Sequence, residues 1–127
     1  MIVDSSAVLA ILLQEAEAES FADALAEADY AGISACSVLE LHIARNQRAI
    51  PAEAIDTLLT RFGVEIIPFT VSQLQLAIAA HRQYGKGIHA AGLNFGDCFA
   101  YALAKERALS LLYKGADFNK TDIESAI

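Results

Sequence analysis

The chain has 127 residues, 55% of them hydrophobic, and a formal charge of −7 from 16 acids and 9 lysines or arginines. That length suits a single domain, residues 1–127, with a substantial core, and it excludes long disorder. Two cysteines exclude a disulfide framework, and the acidic balance argues against broad electrostatic affinity for nucleic acid.

Residues 2–4 (IVD) predict a short buried strand that ends on a carboxylate, Asp4. No basic region precedes it, and no apolar run nears the ~18 residues of a membrane span, which predicts a cytoplasmic chain. An apolar helix over 5–14 follows, then an amphipathic one over about 16–28. YAGISA at 30–35 reads as a strand, with Gly32 allowing close packing. Residues 37–48 form a helix opened by Ser or Cys and closed by a basic turn. Pro51 starts the next helix, which ends at Gly63. VEIIPF at 64–69 is a strand, 71–84 a helix, and 85–92 a loop with three glycines. A helix over 94–107, a strand over 109–113 and a short tail complete the chain. Alternating strands and helices predict a three-layer α/β/α sandwich around a mainly parallel sheet.

In such sheets, sites gather beyond the C-terminal ends of the strands. Asp4 lies there, although it could simply cap the helix after it. Glu40 borders the helix face of Cys36, Leu39 and Ile43, where a solvated acid is unexpected; an acid snorkelling at the core's edge is the alternative. Asp97 falls on a helix apolar nearly all round, yet Asn94 and Asp97 also fit a capping box. Asp117 follows the last strand, where a turn aspartate would be ordinary. Asp122 suits a terminal cap better. Asp4, Asp97 and Asp117 together fall where one sheet edge would gather them. Carboxylates that close repel one another unless a cation intervenes, and hard oxygen ligands select Mg²⁺ or Mn²⁺. Arg82 to Gly92, RQYGKGIHAAG, combines bases with glycines and reads as a mobile substrate loop. Arg82 and Lys86 would there meet phosphate, with ordinary surface charge as the alternative.

The opening IVDSSA, the SVLEL helix, the NFGDCFAYALA helix and the closing LLYKGADFNKTDI, in this order and spacing, resemble the PIN-domain ribonucleases of the virulence-associated protein C (VapC) class. These are the toxin half of type II toxin–antitoxin pairs, and the resemblance runs over essentially the whole chain. It implies a PIN-like parallel sheet flanked by helices. It implies that Asp4, Glu40 and Asp97 are the three regular site acids and Asp117 the more variable fourth, with Asp122 as its rival. Ser6 matches a small hydroxyl residue that orients the first carboxylate or a bound water. The resemblance further implies cleavage of structured RNA such as tRNA or rRNA with Mg²⁺ or Mn²⁺, a homodimer, and silencing by a small VapB-like antitoxin.

Three rivals stand beside it. A dehalogenase-type phosphatase would want a second Asp where Ser6 stands. A phospho-receiver domain would want an acceptor Asp after VEIIPF. A catalytically inactive PIN-like module that binds RNA or protein would keep the fold without the chemistry.

Overall fold

The strands are short, and the first two give way at once to a helix cap, at Asp4 and Ser34. In the computed structural model, which covers residues 1–127, they are β1 (Ile2–Val3), β2 (Gly32–Ser34), β3 (Glu65–Ile67) and β4 (Leu111–Leu112). They pair in the order β3-β2-β1-β4, every pair parallel, with Ile2 opposite both Gly32 and Leu111. Parallel neighbours require crossovers. Six helices supply them: α1 (Ser5–Leu12), α2 (Ala18–Glu27), α3 (Ala35–Arg45), α4 (Ala52–Arg61), α5 (Val71–Tyr84) and α6 (Phe95–Arg107).

Successive residues of a strand face opposite ways, so Ile2 and Val3 serve different cores. Val3, Ile33 and Leu112 pack with Val8, Leu25, Leu41, Ile55 and Leu59 of α1 to α4. Ile2, Ile67 and Leu111 pack with Ala80, Tyr84, Tyr101 and Leu103 of α5 and α6. The result is the expected α/β/α sandwich. Burying each such Leu or Ile contributes about 1.5–3 kcal/mol, so these two layers outweigh any single cap.

The boundaries move for local reasons. α3 starts at Ala35 rather than Ser37 because Ser34 is itself the cap, its Oγ accepting from Cys36 N at 3.2 Å. Gly32 leaves no room for a side chain: a Cβ there would meet the Tyr30 hydroxyl at 2.8 Å. The tail pairs parallel to β4, where Leu111 N donates to Glu124 O and Ala126 N to Leu111 O, both at 2.9 Å. One helix face is reversed from expectation. On α3, Ser37 and Leu41 are buried, while Leu39 and Ile43 are 61% and 60% exposed. The helix carries two apolar stripes, and contact with α1, α4 and α6 selects the one through Leu41.

Candidate active site

β1 and β4 run in register, so Asp4 and the segment after Leu112 emerge at the same sheet edge. Asp4 is 3% exposed. Its backbone N–H donates to Leu112 O at 2.9 Å, which carries the ladder one step past the strand. Its Oδ2 caps α1, accepting from Ser6 N at 3.0 Å and Ser6 Oγ at 2.5 Å. Lys114 N donates in turn to Ser6 Oγ at 2.9 Å, tying the C-terminal loop to the first acid through one hydroxyl. The other oxygen, Oδ1, is buried with no hydrogen-bond partner. A lone carboxylate oxygen in that position is costly unless something positive reaches it.

Glu40 is half-buried on α3 and accepts a hydrogen bond from Ser5 Oγ. Asp97 is the third residue of α6 and completes a capping box. Its Oδ2 accepts from Asn94 N and its N–H donates to Asn94 Oδ1, both at 2.9 Å. Asp117 precedes a single 3₁₀ turn (Phe118–Lys120) and its carboxylate makes no cap bond there. All four acids, with Ser5, Ser6, Asn94 and Lys114, line one cleft of about 330 Å³.

The cleft's electrostatics follow from this crowding. Burial pushes Asp4 up from the ordinary carboxylate range; the Ser6 bonds pull it down, and the charge of Glu40 raises it further. Asp97 is pushed up to about 7, first by burial and then by the charges of Asp4, Asp117 and Glu40, against the pull of the Asn94 N–H. Asp97 thus senses all three other acids. A cap in the first turn ordinarily favours the charged form; here burial and like charge win.

The scan against protein families matches the PIN domain over residues 1–124. Over 130 aligned residues the chain is 45% identical to the ribonuclease VapC28 of Mycobacterium tuberculosis, covering 100% of this chain and 98% of that protein. This chain belongs to the VapC ribonuclease family. The ribonuclease VapC of Mycolicibacterium smegmatis is 41% identical, with 97% of both chains covered. Among solved structures, M. tuberculosis VapC20, described as a sarcin–ricin loop cleaving toxin, superposes with a TM-score of 0.75 at 15% identity. That match covers 96% of this chain and 95% of VapC20, and it shows the shared fold.

Within this VapC protein, Asp122 does not join the other acids. Its Oδ1 accepts from the Tyr101 hydroxyl at 2.6 Å and its Oδ2 from Lys105 Nζ at 2.8 Å. Burial alone would raise its pKa, but those two bonds outweigh it and hold the group low. Arg82 and Lys86 are exposed and do not line the cleft. Their loop is folded on itself rather than open, with Lys86 N to Leu93 O and Leu93 N to Tyr84 O both at 2.9 Å. The basic residue that does line the cleft is Lys114, whose Nζ is bonded to Glu15 and lies 3.1 Å from Glu17. Sequence reasoning singled out Arg82 and Lys86 rather than Lys114, and Ser6 rather than Ser5; it did not see Ser5 as a partner for Glu40. The signal available was a second hydroxyl directly after the strand-end acid.

The donor set suits a hard divalent cation. It is all carboxylate oxygen, and Asp4, which lines the cleft, keeps one buried oxygen, Oδ1, without a hydrogen-bond partner. As the side chains stand, no three of them close into a complete cage. Ser5 engages one Glu40 oxygen and Asn94 engages Asp97 Oδ2. A cation would compete with these neutral donors for the same oxygens. No helix is long and apolar enough to cross a membrane.

Proposed function

We propose that this protein is the toxin of a type II toxin–antitoxin pair, an endoribonuclease that hydrolyses structured RNA at its acidic cleft with Mg²⁺ or Mn²⁺. The observation that carries the reading is the convergence of Asp4, Glu40, Asp97 and Asp117 from four separate elements on one cleft. A purely structural role needs no such convergence, because like charges destabilise one another.

Asp4, Glu40, Asp97 and Asp117 would hold the ion, and Asp4 Oδ1 would give up no hydrogen bond to join it. When bound, a divalent ion offsets the charge of the acids and of the scissile phosphate and makes a bound water more acidic. Ser6 fixes the Asp4 carboxylate through two hydrogen bonds, so its free oxygen points one way. Glu40, held by Ser5, would accept a proton from an attacking water. Burial and the neighbouring acids push Asp97 up to about 7, so it is only partly ionised near neutral pH, and a bound cation would favour its charged form. Lys114 lines the cleft and would meet a phosphate that enters it. Arg82 and Lys86 would meet only RNA that extends beyond the cleft. A small VapB-like antitoxin and a homodimer belong to the same reading; the exposed Leu39, Ile43 and Phe95 supply apolar surface for such contacts.

The test is purified, partner-free protein incubated with total RNA and Mg²⁺ or Mn²⁺, beside Asp4→Asn and an EDTA control. Discrete cuts by wild type alone, abolished by EDTA, are expected. Equal cutting by Asp4→Asn would place the activity elsewhere, and no cutting under any condition would favour an inactive binding module.

A further inference from the structure

Gly96 is the second residue of α6, between Phe95 and Asp97, and is buried. Its φ lies outside the left-handed region, where Gly63, Gly87, Gly92 and Gly115 are found, so the backbone does not call for glycine here. Alanine would suit a helix better. The reason for glycine lies across the contact with α3. A Cβ built on Gly96 would overlap Glu40 Oε2 and stand 2.8 Å from Glu40 Cδ and 3.1 Å from Oε1. The nearest atoms it would meet all belong to that one carboxylate. The same carboxylate is also held by Ser5, whose Oγ donates to Oε1.

Glutamate has three rotatable side-chain bonds, and a site group must be held to within about 0.5 Å to act reproducibly. We propose that Gly96 and Ser5 are positioning residues that form a seat for Glu40: the bare α-carbon provides the slot and the hydroxyl provides the grip. The inference rests on Glu40 being a working site acid. It adds that α6 contributes an absent side chain as well as Asp97 to the site.

The test uses the full-length, antitoxin-free protein and the variants Gly96→Ala, Ser5→Ala, Ser5→Thr and Glu40→Gln. Gly96→Ala is expected to melt no lower than wild type in EDTA, because the clash is with the free end of a flexible side chain. Its kcat on RNA should fall about tenfold or more while KM stays within about twofold. Adding Glu40→Gln to Gly96→Ala should cost little further, since both remove the same contribution. Ser5→Ala should slow cleavage and Ser5→Thr restore it. A metal-free crystal structure of Gly96→Ala should show the Glu40 carboxylate out of the slot, a readout independent of cleavage. Wild-type rates in Gly96→Ala, an additive loss with Glu40→Gln, a large drop in stability or an unmoved Glu40 would each overturn the seat and leave the nuclease reading intact. If wild type itself failed to cleave, the nuclease reading would fall, and the position of Glu40 in the crystal would still decide the seat.

Discussion

Asp117 and Asp122 share one short C-terminal segment and differ in what their carboxylates touch. Asp122 is taken by Tyr101 and Lys105, on a surface where its side chain is 49% exposed. Asp117 has no cap bond and lines the cleft with the other acids. The two should therefore separate stability from activity. Asp122→Asn is expected to lower stability by about 1 kcal/mol or less, as for other exposed ion pairs, with cleavage per folded molecule unchanged. Asp117→Asn should leave the melting temperature near wild type and slow cleavage by roughly ten- to a hundredfold. Thermal melts read beside single-turnover cleavage would check both; a normal rate in Asp117→Asn would remove it from the site.

At the scale of the element, the N-terminus of α6 carries two opposed demands. The capping box and the helix dipole favour an ionised Asp97, while burial and three neighbouring acids oppose it and prevail, pushing the group up to about 7. A carboxyl whose folded pKa lies above its unfolded value of ~3.9 favours the fold when protonated. That favourable contribution is intact below about pH 4 and is lost as pH rises through about 7. In EDTA, Asp97→Asn should thus match wild type in stability near pH 4. It should become the more stable protein as pH rises, by roughly 2–6 °C in melting temperature above pH 7. Melting curves across that range check the sign. A variant less stable than wild type at pH 8 would mean that the cap outweighs burial.

For the molecule as a whole, the formal charge of −7 sets how RNA can be held. The cleft wall offers Lys114, already engaged by Glu15 and Glu17, while Arg82 and Lys86 lie outside it. Few phosphates can then be neutralised by side chains. The slope of log affinity against log salt, about −0.7 per phosphate contact on single strands, should be shallower than about −2. Filter binding of Asp4→Asn to RNA over a salt series measures it. A slope near −5 would reveal a basic surface that this arrangement lacks.

Much of this was legible along the chain. Strand and helix periods, the Asn94 to Asp97 cap and the strand-end place of Asp4 are local patterns, and local patterns follow from residue order. The α/β/α layering followed from their alternation. What residue order could not decide was contact between distant segments. Two apolar stripes on α3 are equal until α1, α4 and α6 select one, so Leu39 and Ile43 came out exposed. Asp117 and Asp122 are equivalent as turn acids until Tyr101 and Lys105 claim one of them. Arg82 and Lys86 read as part of a substrate loop, and only the fold shows that they stand outside the cleft. Residue order by itself determined the acids, the caps and the layers. Only the tertiary structure decided which acids share a cleft and why Gly96 has no side chain, because packing acts between surfaces that are far apart in sequence.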